Sequence, residues 1–437
     1  MKLNAILLAA SLAALSGQSE TTISDVVVRQ QWPWKTQVNV DFLVGGSTGA
    51  VTQVTLAAYQ GDSFLGYVPP TACSGGTVIT SNGQNRIVFD PAAVDFLVAK
   101  GPMNDFRLDV AARDVPSEEV LYKIFDLRKL PGEEGQVQYV TEFDLTNGVW
   151  GAWERDYWGE DMARTVIWTG VTNDAKYATS HLVVRRIPAG TFTYGTAEDS
   201  PAYAANDIAP VQVTISKPYY MGVFEFTVAQ LVQLTNRTVD VSERSRQPSN
   251  YKSYGRINTV DDLRGTAAVW PTVEDGVGAN TIIGRLRART GVDGFDLPTE
   301  AQWEMAARAG STGVYYSSTG DTLNSEAVGK IARAAQSTGN TYTNAGNFRP
   351  NAYGLYDTLG NAWEMVLDWY EAKHEPDSSD PKGPETGTQR VLKGGYYYTK
   401  VSGSTQNLHL SLRAGAALNT ASGRSTQYGY RVCCPAQ

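Results

Sequence analysis

GLYDTLGNAWE, residues 354–364, is the stretch on which the reading of this chain turns. It sets Asp357, Asn361 and Glu364 among small residues and aromatics, with no histidine, thiol or lysine inside it. Two chemistries suit such a run. A glycine-containing turn can aim carbonyls inward beside two carboxylates, giving hard oxygens to a cation that wants about 6–8 of them, as Ca²⁺ does. Alternatively, Asp357 and Asn361 bond their own backbone and make only a turn. The acids are expected to be ion ligands.

Around this stretch lie 437 residues, enough for two or three domains. With 42% hydrophobic residues, 42 glycines and 19 prolines, the chain reads as globular and rich in turns. A net charge of −8 makes it a poor counterion for phosphate, so nucleic acid is disfavoured as a partner. Residues 1–17 read as a signal peptide: Lys2 gives the charged start, 5–15 the apolar run, and Ala14-Leu15-Ser16 the cleavage site. That run is shorter than the ~20 apolar residues a span needs, so a secreted or extracytoplasmic protein without a membrane span is expected. Three cysteines, Cys73, Cys433 and Cys434, make no disulfide framework. Three histidines, His181, His374 and His409, share no metal-ligand spacing, which leaves little material for a zinc or non-haem iron centre.

Val38, Val40, Phe42 and Val44 alternate with polar residues, and similar short runs recur near 23–28, 51–57, 87–89, 106–110 and 121–127. This pattern predicts an all-β, immunoglobulin-like sandwich over residues 18–130. The PGEEG run at 131–135 opens a linker and lead-in spanning 131–180. From 181 to 437 the texture is irregular and loop-rich. There Thr227–Gln230 and Thr299–Gln302 fit capping boxes that open short helices, the second closing at Gly310. The basic run GRLRART at 284–290 is expected to be a solvated or ion-paired loop.

Five blocks then carry a resemblance: VRRIPAGTFTYG at 184–195, YYMGVFEFTVAQ at 219–230, DLPTEAQWEMAARAG at 296–310, PNAYGLYDTLGNAWEMVLDWY at 350–370, and RVLKGG followed by GYRV. In this order they resemble the formylglycine-generating-enzyme, or sulfatase-modifying-factor, family over about 181–437. The resemblance implies an α+β fold, an irregular variant of the C-type lectin fold. It also implies an oxygen-dependent oxidase that converts a client cysteine to formylglycine with copper(I) held by two thiolates, soft ligands for a soft ion. The family's thiols follow the GG of the RVLxGG block, where this chain has no cysteine between residues 394 and 415. Their positions fall near Thr399 and Ser404, and the family's serine after GG is Tyr396 here, so copper is not expected. The same resemblance makes Asp357 and Glu364, with the carbonyls of Gly360 and Ala362, ligands of one calcium ion. The family's second calcium loop corresponds to residues 339–351, which have no carboxylate.

Residues 396–427 are rich in Tyr, Ser, Thr, Asn and Gly, the make-up of a paratope. Tyr396, Tyr397, Tyr398, Asn407 and Arg413 are accordingly candidate ligand-binding residues, with an extracellular protein or glycan as the partner. Sequence alone thus predicts a secreted, calcium-stabilised, non-catalytic binding module. The alternative is an oxidoreductase that converts a client cysteine or performs a related oxidation.

Overall fold

The computed structural model describes all residues except 1–2, 6–20, 31–35, 48–50, 75–76, 80–81, 156–164, 197–199, 201–206, 236–245, 249–262, 266–275, 317–327, 335–340, 402–407, 417–426 and 437. The chain forms two compact units, Met1–Ile124 with Gly132–Trp153, and Phe125–Pro131 with Glu154–Gln437. The division is interleaved, where the sequence suggested one break near residue 130. Gln53 Nε2 donates to the buried Asp144 Oδ2 at 2.9 Å and Arg113 donates to Thr141 Oγ1 at 3.3 Å, which ties 141–144 to the first unit's strands. Phe125, by contrast, packs edge-on against Phe295 of the second unit, ring centroids 5.4 Å apart.

In the first unit, β1 (Thr22–Gln30), β2 (Val38–Gly45), β6 (Gly83–Phe89) and β5 (Cys73–Ser74) form one antiparallel sheet in that order. In a second sheet β3 (Val51–Gln60) lies between β7 (Met103–Val115) and β4 (Ser63–Tyr67), again antiparallel. Alternation decides the inner faces: Val38, Val40, Phe42 and Val44 from one sheet share a core cluster with Leu56, Ala58, Phe106 and Leu108 from the other. Each of the larger side chains contributes about 1.5–3 kcal/mol by leaving water. A short helix, α1 (Asp95–Lys100), lies between β6 and β7.

The second unit is mixed α and β, rich in sheet, with few helices among the described residues. β8 (His181–Ile187), β11 (Tyr219–Gly222) and β16 (Cys433–Pro435) run antiparallel, and β9 (Gly190–Tyr194) pairs with β10 (Val211–Ile215). A four-stranded sheet has the order β14 (Arg413–Ala416), β13 (Arg390–Lys393), β12 (Trp363–Trp369), β15 (Tyr428–Tyr430). Among the described residues three helices belong to the unit: α2 (Val228–Thr235), α3 (Ile282–Thr290) and α4 (Glu300–Arg308). No helix among the described residues is long and apolar enough to cross a membrane.

Both predicted capping boxes are formed. Thr299 Oγ1 accepts from Gln302 N–H while Gln302 Oε1 accepts from Thr299 N–H, and Thr227 and Gln230 make the same reciprocal pair. Helix α4 ends at a left-handed Ala309 (φ 45°), and the expected Gly310 follows it at φ 89°. The GRLRART run is a helix rather than a loop. Thr281 caps its start, Gly291 closes it at φ 71°, and Ile283 and Leu286 bury one face while Arg287 reaches Asp296 at 3.4 Å.

The four-stranded sheet has two unlike faces. Glu364, Lys393 and Arg413 lie in one cross-strand row, and Met365, Leu392 and Ala414 in the next. Since neighbours on a strand alternate, the first row faces α4 and the second faces away from it. Trp363, paired with Tyr428, belongs to the second face.

Candidate functional site

The 354–364 stretch is a tight, buried turn. Gly354, Asp357, Gly360 and Asn361 all have positive φ, 56–76°. Only glycine fits at 360, because a Cβ there would lie 1.9 Å from the Arg333 carbonyl oxygen. Asn361 is fully occupied: its Oδ1 accepts from Thr343 N–H at 2.9 Å, and its Nδ2 donates to Glu225 Oε2 at 2.6 Å. Glu225 also accepts from Ala362 N–H at 2.9 Å. The turn in turn holds the segment after the double glycine, since Gly360 N–H donates to Gly394 O at 2.8 Å and Tyr397 N–H to Asn361 O at 2.9 Å.

The expected ligands separate in this geometry. Asp357 Oδ2 accepts from Gly346 N–H at 2.6 Å, but Oδ1 is buried and has no hydrogen-bond partner among the described residues. Burial pushes the Asp357 carboxyl up to about 6. Glu364 is already neutralised: Arg431 donates to both of its oxygens at 3.0 and 2.7 Å, and Trp303 Nε1 donates at 2.6 Å. The same guanidinium reaches the carbonyls of Gly222, Val223 and Tyr356. Of the two expected carboxylate ligands, Asp357 thus keeps one oxygen without a partner among the described residues, as a hard-cation ligand would, and Glu364 is taken by Arg431. Glu225 is an acid that sequence reasoning missed. Burial, with Asp357 and Glu364 nearby, raises its carboxyl well above the usual range.

On the α4 face of the four-stranded sheet lies a buried ionic network. Arg413 makes a bidentate pair with Glu300 at 2.9 and 2.8 Å and donates to Glu371 O. Lys393 reaches Glu304 at 3.0 Å and Glu300 at 3.4 Å. Burial alone would raise the Glu300 carboxyl, but the Arg413 and Lys393 charges outweigh it and hold the group at about 2. Asp368, which accepts from Glu300 N–H at 2.7 Å, is pushed up to about 8 by burial and the Glu300 charge, which outweigh the opposing pull of Arg413.

The opposite face floors an open cleft of about 350 Å³, lined by Trp363, Leu392, Tyr396, Tyr398, Thr399, Lys400, Ala414, Gly415, Gln427 and Tyr428. Tyr396 stacks on Trp363 at 6.3 Å and 23°, and Tyr398 is half exposed. Tyr397 turns aside to pack against Tyr342 at 4.9 Å. Thr399 closes a tight turn in which its Oγ1 accepts from Tyr396 N–H at 2.9 Å. Of the expected ligand-binding residues, Tyr396 and Tyr398 thus line the cleft. Tyr397 packs beside it. Arg413 points to the other face, where Glu300 consumes it. Asn407 and Ser404 lie outside the described residues, as do residues 6–17 of the expected leader. Trp363 and Tyr428 were missed as cleft residues, and the period-two alternation of β12 was the signal that could have found Trp363.

Copper(I) held by two thiolates does not fit these donors. The cleft offers phenols, an indole, a hydroxyl, an amide and one ammonium. Cys433 and Cys434 pair with Met221 and Tyr220, and as strand neighbours they point to opposite faces. Cys433 belongs to an apolar cluster with Ile187 and Tyr219, and burial pushes its thiol far above the range at which a thiolate forms.

Comparison with known proteins bears on the same region. A family profile described as the sulfatase-modifying factor enzyme 1-like domain matches residues 171–435. Formylglycine-generating enzyme from Bos taurus is 28% identical over 252 residues, covering 48% of this chain and 64% of that protein. The similarity therefore spans less than two thirds of the bovine protein. The formylglycine-generating enzyme of Streptomyces coelicolor is 30% identical over 245 residues, 48% of this chain and 77% of that one. Among solved structures, PvdO from Pseudomonas aeruginosa superposes with a TM-score of 0.44 at 21% identity, over 58% of this chain and 94% of that chain. With the profile matching more than half of its length, the chain belongs to the family of sulfatase-modifying factor enzyme 1-like domains.

Proposed function

We propose that this protein is a secreted, extracytoplasmic binding module built on a C-type-lectin-like member of the family, with an immunoglobulin-like sandwich as its first unit, and that it is not an oxidase. One observation carries the reading. Thr399, the residue nearest the family's first thiol position, is folded into a hydroxyl-closed turn in the wall of an aromatic cleft. Tyrosines supply rigid, amphipathic contact area there, so a protein or glycan ligand is bound rather than oxidised. One calcium ion stabilises the turn beside the cleft through Asp357 Oδ1 and backbone carbonyls of the turn.

The second reading, oxidation of a client cysteine to formylglycine, is favoured by the relatives that bear the name formylglycine-generating enzyme. Metal analysis of the purified chain, combined with an aldehyde assay on a peptide containing Cys-X-Pro-X-Arg, separates the two. The binding module yields no aldehyde and no bound copper. Calcium is expected to raise Tm by several degrees in the wild type and to leave D357A unchanged. Aldehyde formation would overturn the reading.

A further inference from the structure

The hairpin of β3 and β4 in the first unit carries a partly exposed aromatic cluster that none of the preceding chemistry uses. Leu56 and Ala58 face the core, so Tyr59 emerges on the outer face, opposite Phe64 in the register. Phe64 is 51% exposed. Its ring meets Tyr59 at 5.4 Å and 60° and Tyr67 at 5.1 Å and 65°. Three large rings clustered on the outer face of an edge hairpin are costly to leave in water without a use.

Acids frame these rings. Asp62 sits fully exposed at the hairpin tip. Asp105 lies beside it, its Oδ2 3.3 Å from where a Cβ on Gly61 would be, and its carbonyl accepts from Gly61 N–H. Asp109 follows on β7. The patch also contains a working example of what it can hold. The Arg107 guanidinium lies 4.3 Å over the Tyr59 ring and reaches Asp109 at 3.2 Å and Asp62 at 3.4 Å. A cation above a ring and between carboxylates gains from both.

We propose that this hairpin is a docking surface for a short basic segment of another polypeptide, whose arginine or lysine side chains lie over Phe64 and Tyr67 and between Asp62 and Asp105. Three aspartates against one arginine leave the patch net negative, in a chain whose overall charge is −8. A sugar is the less suitable occupant. Sugar rings stack on open, flat aromatic faces, whereas these rings meet edge to face and one face of Tyr59 is already covered by Arg107.

The test uses the full chain and a fluorescein-labelled peptide of alternating arginine and glycine, followed by fluorescence anisotropy at about 0.15 M salt. Binding is expected to be salt-sensitive and to weaken about 3- to 5-fold in F64A, which removes no charge. D62N with D105N should weaken it by a similar factor and flatten the salt dependence. A glutamate–glycine peptide should not bind. Phe64 is exposed, so F64A should keep the wild-type Tm, and a fold defect is thereby separated from a binding defect. Equal binding by F64A and wild type would reduce the effect to diffuse attraction by an acidic protein and overturn the proposal. Displacement of the peptide by a neutral polysaccharide would overturn it too, in favour of a sugar platform. Neither result bears on the aromatic cleft, whose reading stands or falls separately.

Discussion

The two faces of the four-stranded sheet contrast sharply in how their residues are constrained. On the side of α4, Glu364, Lys393 and Arg413 each have buried, charged partners at 2.7–3.4 Å. On the other side, Trp363, Leu392 and Ala414 floor a cleft whose walls are tyrosines, one threonine and one exposed lysine. Changing a residue on the first face strands a charge in the interior, whereas Tyr398 and Lys400 of the cleft wall are exposed. The fold can therefore persist in a chain whose cleft chemistry has been replaced.

The largest expected effect lies on the ionic face. R413A removes the bidentate partner of Glu300 and leaves a buried carboxylate with only Lys393, which should cost about 3–5 kcal/mol in urea unfolding. It should also remove an acid-limb dependence. With its folded value at about 2, below the ordinary 4.5, Glu300 contributes stability that is present above pH 4.5 and lost as pH falls toward 2.

Asp368 on the same face has the opposite sign. Its carboxyl titrates at about 8 when folded against 3.8 ordinarily, so the unfolded chain gives up the proton first as pH rises. Stability from this group is complete below pH 3.8 and declines up to pH 8. D368N keeps an acceptor for Glu300 N–H and cannot ionise, so it should flatten that decline and gain of order 1–3 kcal/mol at pH 8. Chemical unfolding at pH 5 and pH 8 measures the difference. An unchanged slope would mean that Asp368 is ionised in the fold and that the contrast between the faces is weaker than drawn here.

The smallest effect belongs to the cleft. Y398A, at a half-exposed ring, should change stability by less than about 0.5 kcal/mol while altering ligand capture. A loss above about 2 kcal/mol would make the cleft wall part of the core.

The same contrast explains what the sequence revealed. Local signals were legible: alternation gave β2, and the threonine–glutamine pairs gave both capping boxes, because each depends on residues within one turn. The GRLRART helix was missed although Thr281 and Gly291 bracket it, since its arginines hid the buried Ile283 and Leu286. Nonlocal pairings were not legible. Nothing near Glu364 announces that Arg431, 67 positions away, neutralises it, or that Glu225, 136 positions from Asn361, holds the turn. Arg413 reads as a candidate ligand-binding residue in the sequence because its partner lies 113 positions upstream.

Arg431 also ties together segments far apart in the chain. Its hydrogen bonds reach partners 67 to 209 positions back along the chain, so its guanidinium is satisfied only after distant strands have met. Long-range closure of this kind makes for slow acquisition of the native state. A newly made chain would therefore leave this guanidinium without its full set of acceptors until segments more than 200 positions apart have docked.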